Sequence, residues 1–253
     1  MIIDAPKNTH ILALRALWRE AFGDTDAFLD IFFETAFSPA RSRALTENGE
    51  LLAALYWFDC EINGAPLAYL YAIATAKAHR GKGLCTTLMK NTHKHLASRG
   101  YAYAVLVPGE ASLFDFYRKM GYTAFSPARI LTALPDGAPL SLKSLMKDEY
   151  AARRRTLLPA GGVVQEKENL DFLLTEYTLY AAENTLVTAR TENGILYATE
   201  LLGDKDLAPR ILSTLGCKEG RFRIAGGEAP LAMYLPLKED GGVPPSYFGL
   251  AFD

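Results

Sequence analysis

Apolar residues recur at helical spacing from Ile11 through Leu14, Leu17, Trp18 and Phe22, which predicts a first helix closed by Gly23-Asp24. A second helix follows, opening near Asp26, carrying Phe28, Leu29, Phe32, Phe33 and Phe37, and stopped by Ser38-Pro39. The pattern then shortens to runs that suit strands at residues 42–46, 51–62 and 66–75, with a short edge strand at 1–4 ahead of the helices. Asn48-Gly49 and Asn63-Gly64 separate these runs, and Asn-Gly favours hairpins because both residues tolerate positive φ. After Gly83 a stripe of Leu84, Leu88, Thr92 and Leu96 marks a third helix ending at Arg99-Gly100. A buried strand at 101–107, a helix at 112–120 and a strand from Gly121-Tyr122 complete the first half.

Beyond Phe125 proline and glycine break the chain into shorter pieces. Helices are expected at 142–157 and 166–182, the second from Leu170, Leu173, Leu174, Tyr177 and Tyr180. Strands are expected at 185–191 and 195–202, a helix at 207–215, and strands at 221–224, 231–237 and 247–252. This order nearly replays the first half, so the chain divides at 1–128 and 129–253 as two related α/β units.

Composition narrows the picture. At 253 residues with 49% hydrophobic content, the chain can fill proper cores, and a net charge of −2 gives no general attraction to nucleic acid or anionic membrane. Cys60, Cys85 and Cys217 are too scattered for a disulfide framework or a zinc pattern, and fit a reducing cytoplasm. His93 and His95, two apart on a helix, point to different faces, so no metal site is expected. No signal peptide and no span of bilayer length is evident. The Arg153 to Arg155 run reads as a solvated helix face.

The chemistry concentrates in residues 71–88, YAIATAKAHRGKGLCTTL, an apolar strand, a tight loop and a helix start. Gly81 and Gly83 let successive amides turn toward one point, the helix adds its unpaired first-turn N–H groups and positive dipole end, and Arg80 and Lys82 add charge. That is an anion site suited to a diphosphate. Neither a Walker spacing nor a three-glycine dinucleotide fingerprint is present, and no magnesium carboxylate is evident. Arg80-x-x-Gly83 with the small residue Cys85 two places on, after Ile73-Ala74-Thr75, resembles the pyrophosphate loop of the GCN5-related N-acetyltransferases (GNAT), where Gly or Ala usually stands at the Cys85 position.

A second stretch, LVPGEASLFDFYRKMGY, resembles the segment in which that family ends a strand, starts a helix and places a tyrosine ahead of a Gly-Phe/Tyr pair, here Tyr117 and Gly121-Tyr122. Glu110 stands where many members carry Asn, and the PGE…LF-FY form resembles the branch of the enhanced-intracellular-survival acetyltransferases. The resemblance implies a GNAT fold, a mixed, splayed β-sheet flanked by helices, at 1–128, followed by a degenerate GNAT-like unit at 129–253. Gly203-Asp204-Lys205-Asp206 occupies the replayed loop, and its two acids would repel a diphosphate, so no cofactor is expected there.

The same resemblance implies acetyl-CoA as co-substrate and acetyl transfer to a primary amine of a small molecule or peptide. It places Ile73, Ala74, Thr75, Arg80, Gly81, Lys82, Gly83, Leu84 and Cys85 along the cofactor, with the backbone of Ile73 and Thr75 pairing to pantetheine. It makes Tyr117 the general acid for the departing thiolate. Asp59, Glu61, Glu110 or water could serve as base, and Phe28, Phe32, Phe33, Tyr56, Trp57 and Tyr69 with Asp59 and Glu61 suit a cationic, partly apolar acceptor. In the survival branch the C-terminal carboxylate reaches the site, but Asp253 ends the other unit and is given no such role. The alternative is an acyl-CoA sensor or scaffold with chemistry lost, supported by the Glu110 departure. A homo-oligomer stays open.

Overall fold

The computed structural model describes residues 1–238 and 242–252. In its first half, β1 (Ile2–Asp4) precedes α1 (Ile11–Phe22) and α2 (Asp26–Thr35), and β2 (Ser42–Glu47), β3 (Glu50–Ile62) and β4 (Ala65–Thr75) form an antiparallel meander. After a short turn of helix at Lys77–His79 come α3 (Leu84–Ser98), β5 (Tyr103–Leu106), α4 (Ala111–Arg118) and β6 (Thr123–Ala133). The second half contains β7 (Lys143–Ser144), α5 (Lys147–Leu157), β8 (Val164–Gln165), α6 (Glu168–Leu173), β9 (Thr178–Ala182), β10 (Thr185–Glu192) and β11 (Ile195–Leu202). It ends in α7 (Ala208–Leu215) and the long β12 (Glu219–Pro236).

The expected helix over 166–182 is corrected. It stops at Leu173, and residues 178–182 pair with β10 as a strand. The apolar residues of that stretch fit either period, and the hydrogen bonds on offer from β10 decide for the strand. Two further expectations are also corrected. The separate strands at 221–224 and 231–237 are one strand with a bulge, and residues 247–252 are irregular apart from a bridge from Tyr247 to Gly162.

All strands join one mixed sheet in the order β1-β2-β3-β4-β5-β12-β11-β10-β9-β7. The end of β12 pairs with β5 through Met233 to Pro236, and the same strand pairs with β6 along nearly its whole length. The two halves therefore share a strand from the second. Two pairs in this sheet are parallel, β4 with β5 and β11 with β12. Parallel neighbours connected through a helix twist apart at their ends unless something holds them together.

Alternation along β3 distributes the cores. Ala54, Tyr56 and Phe58 face α1 and α2, packing with Leu14, Trp18, Leu29 and Phe32, whereas Leu55 and Trp57 face α3 and pack with Leu88, Met89 and Leu96. In the second half α7 covers one face through Ile211 and Leu212, and α5 and α6 cover the other through Tyr150, Leu170 and Leu173. Phe172, Phe248 and Ala251 enter the first half's core, so the halves are not packed separately.

Candidate functional site

Pairing of β4 with β5 ends at Leu70 opposite Leu106, and beyond this point the strands part. Ala72 sits at φ 47° beside a register shift in the β3 pairing, so the strand bulges where it leaves its neighbour. The gap is a cavity of about 430 Å³ lined by Tyr69 to Ile73, by Leu106 to Gly109, and by Leu113, Phe114 and Tyr117 of α4. Trp18, Asp24 and Phe252 line its other side. Of the three residues expected along pantetheine, Ile73 lies on the cavity wall, Ala74 is buried in the core and Thr75 ends the strand.

The loop beyond β4 leaves its backbone donors free. Gly81 and Gly83 have φ of 76° and 75°, and the amides of residues 81–86 donate to no acceptor among the described residues. Helical pairing starts only with Thr87, whose amide reaches the Gly83 carbonyl at 3.0 Å. A left-handed residue at each glycine aims the intervening N–H groups outward together with the first turn of α3. Arg80 is tethered by its Nε to the Thr75 carbonyl at 3.1 Å, and Lys82 is exposed. Leu84 turns inward to the α3 core, so its contribution to the loop is its backbone.

Tyr117 is buried on α4 against Cys85 and Tyr122, and its hydroxyl has no hydrogen-bond partner among the described residues. Burial, reinforced by the neighbouring Cys85, pushes its pKa above the ordinary value and keeps it protonated. Burial also pushes the Cys85 thiol up to about 11, so it is no thiolate nucleophile. Its side chain fills space behind the loop.

The expected carboxylates lie elsewhere. Asp59 accepts the Tyr101 hydroxyl at 2.5 Å, Glu61 pairs with Arg155 at 3.2 Å, and Glu110 precedes α4 without a side-chain capping bond and accepts from Ser112. None lines the cavity. Of the expected aromatics, Phe32 and Tyr56 are core, Phe33 stacks on Phe37, and Trp57 faces the opposite side of the sheet. Only Tyr69 and Phe28 reach open space, the latter in a second cavity of about 240 Å³ that continues from the first.

Sequence reasoning missed Asp24, Tyr71, Phe172, Glu176, Tyr177 and Phe252, which line one or both cavities. Asp253 lies outside the described residues. Its neighbour Phe252 nevertheless packs on Phe58, Tyr69 and Tyr71, and its amide donates to the Tyr69 hydroxyl at 3.3 Å. The segment that ends the second half thus reaches the first half's cavity through Phe252. The helix starting at Asp26 gave a signal for Asp24 as an acid at a helix entry, but nothing in the sequence brings residue 252 to residue 71.

The replayed loop differs in kind. Asp204 accepts the Asp206 amide at 2.9 Å, its own amide donates to Thr185, and Pro209 removes a donor at the start of α7. Pairing of β11 with β12 ends at Ala198 opposite Phe222, but the space beyond is filled by residues 247–251. Ser126 and Gln165 each bond both N–H and C=O of this segment, at Phe248 and Leu250, and Thr199 bonds Ala251. A buried Arg154–Glu200 pair, with Tyr150 and Tyr247 on Glu200, holds its base. Among the described residues no cluster of His, Cys, Asp and Glu could hold a metal, and no helix is long and apolar enough to cross a membrane.

Residues 3–125 match the model of an acetyltransferase (GNAT) domain. The whole fold resembles a GCN5-related N-acetyltransferase from Kribbella flavida, with 16% identity, 95% of this chain and 73% of that one covered, and TM-score 0.73. A GCN5-related N-acetyltransferase from Anabaena variabilis is similar at 14% identity, with coverage of 95% and 74% and TM-score 0.74. Eis1 from Mycobacterium abscessus is similar at 14% identity, with coverage of 94% and 74% and TM-score 0.66. No curated protein matches the sequence.

Proposed function

We propose that the chain, whose residues 3–125 match the model of an acetyltransferase (GNAT) domain, uses acetyl-CoA as co-substrate and moves the acetyl group directly from the thioester to a primary amine, with Tyr117 as general acid. The observation that carries this reading is the row of amides at residues 81–86 with no acceptor among the described residues, in the loop that follows β4 after it has parted from β5. In this reading those amides and Arg80 hold the diphosphate, and the free edge of β4 at Ile73 and Thr75 pairs with pantetheine. The thioester then lies within the cavity whose wall carries the unpartnered Tyr117 hydroxyl.

The amine nitrogen forms the new C–N bond as the C–S bond breaks. Tyr117 gives its proton to the departing thiolate, while the proton shed by the nitrogen passes to solvent, from which Tyr117 is recharged. We also infer that the unit from about residue 129 holds no cofactor, because its loop amides are already used and residues 247–251 fill its notch. The motif at 108–117 and the replayed second half support placement near the enhanced-intracellular-survival branch. Three free cysteines, two of them buried, suit a cytoplasmic protein.

Calorimetric titration with acetyl-CoA tests the reading. One site per chain is expected, weakened roughly 10- to 100-fold in Arg80→Ala by loss of a charge-assisted contact. Absence of binding overturns the assignment, and two sites overturn the inference about the second unit.

A further inference from the structure

The second cavity says what kind of amine arrives. It is walled by five aromatic side chains, Phe28 and Tyr71 from the first half and Phe172, Tyr177 and Phe252 from the second. Phe28 and Phe172 meet edge to face with centroids 5.9 Å apart, Phe172 and Phe252 at 5.3 Å, and Tyr71 and Phe252 at 5.6 Å. No Lys, Arg or His is among the lining residues, which hold two carboxylates, Asp24 and Glu176. A small, mostly aromatic chamber with acids and no base selects a cation attached to an apolar body.

Asp24 marks where that cation goes. Together with Tyr71 and Phe252 it lines both cavities, so it stands at their junction. Its Oδ2 accepts the indole N–H of Trp18 at 2.7 Å, which fixes the carboxylate, and it forms no ion pair among the described residues. Two nearby acids on α2 are paired, Asp30 with Arg15 and Asp26 with Arg15 and Arg19. Glu176 likewise has no ion pair and sits exposed at the rim. Asp24 and Glu176 thus face the chamber with no ion pair among the described residues to offset their charge.

We propose that the acceptor is an arylalkylamine, seated with its ring among Phe28, Phe172, Tyr177 and Phe252 and its ammonium against Asp24, at the opening to the cavity that holds Tyr117. The proposal rests on the acetyltransferase reading for the use made of the amine, but the chamber is a binding site in its own right. Both halves build it, which gives the second half a role in acceptor choice. Glu176 at the rim draws the cation in, and the ring's depth brings the nitrogen to the junction.

The test is a calorimetric titration of 2-phenylethylamine, ethylamine and spermidine into the protein, free and loaded with coenzyme A. The expected result is 2-phenylethylamine binding at least roughly tenfold tighter than ethylamine, from burial of the ring, and tighter than spermidine. Asp24→Asn, which keeps an acceptor for Trp18, should weaken 2-phenylethylamine at least roughly tenfold with coenzyme A affinity unchanged. Phe172→Ala should weaken 2-phenylethylamine and leave ethylamine as it was. Ethylamine or spermidine binding as well as 2-phenylethylamine, no amine binding at all, or indifference to Asp24→Asn would overturn the proposal. Amine selectivity without coenzyme A uptake would overturn the transferase reading instead and leave the acceptor chamber standing.

Discussion

The sheet makes the same notch twice and leaves only one of them open. In the first half β4 and β5 run parallel from Leu67–Tyr103 to Leu70–Leu106 and then part around a cavity of about 430 Å³. In the second, β11 and β12 run parallel from Ile195–Glu219 to Ala198–Phe222 and then part around residues 247–251, which are bonded to Ser126, Gln165 and Thr199. The loops after β4 and β11 differ in the same sense, one presenting free amides, the other consuming its own. A splayed parallel pair is therefore a product of the twist and the connecting helix. It becomes a site only where the space is kept and the donors beside it are left unused.

The largest expected effect separates the notches by chemistry. Tyr117→Phe removes the hydroxyl that α4 places on the wall of the open notch, and kcat should fall about 10² to 10⁴-fold. Acetyl-CoA affinity, measured by calorimetry, should hold, because the loop amides are untouched. Unchanged turnover would mean that the open notch works without its tyrosine, and the assignment of the acid would go.

Next in size is a variant that unlocks the filled notch. Glu200 is fully buried and accepts from Arg154, Tyr150 and Tyr247, so Glu200→Ala strands a buried guanidinium. Urea denaturation should show a loss of about 3–5 kcal/mol. The same protein, titrated with acetyl-CoA while still folded, should show no second site, since the loop at Asp204 keeps its amides occupied. Appearance of a second site would mean that residues 247–251 alone exclude the cofactor, and that the loop contrast is incidental.

How far these features could be read from the sequence follows from the range of each signal. The loop at Arg80 to Cys85 and the strand at 195–202 were legible because glycine, helix start and alternation act within a few residues. Tyr117 was placed by its flanking pattern, and the structure brings it to the cavity wall. The strand at 178–182 was hidden because Tyr177 and Tyr180 also suit a helical stripe, and only β10 breaks the tie. The second cavity was hidden more deeply. Phe28, Phe172 and Phe252 meet through tertiary packing that no local period records, and Asp59 and Glu61 misled because a strand's acids face partners, Tyr101 and Arg155, that lie far along the chain.

Acid distinguishes the halves by about the next increment. His93, on the helix that starts at the open loop, is half-buried with its Nε2 2.8 Å from the Tyr122 hydroxyl, and this burial lowers its pKa from 6.5 to about 4. α7, its counterpart, has no histidine. Above pH 6.5 both folded and unfolded forms are neutral at this residue. Below it the unfolded chain takes up a proton that the native one refuses, so stability falls until about pH 4, by roughly 3 kcal/mol from this group. Urea denaturation across that window should show the decline, and His93→Gln should flatten it. An unaltered slope in the variant would remove His93 as the cause.

The smallest effects set one glycine against another. At Gly83, φ is 75° and a new Cβ would meet nothing within 4 Å, so Gly83→Ala bears only the cost of a left-handed alanine, about 1 kcal/mol. At Gly203, φ is 108° and the Cβ would come 2.2 Å from the Asn184 carbonyl oxygen, so Gly203→Ala must also move backbone and should lose about 2–3 kcal/mol. Cofactor affinity should reverse the order. The alanine at 83 resists the turn that aims the free amides and should weaken acetyl-CoA, whereas Gly203→Ala should leave binding alone in the folded protein. Stability loss without affinity loss at 203, and the converse at 83, is the pattern expected if one loop is kept for packing and the other for a ligand. Equal effects on affinity would mean that the two loops are not divided in this way.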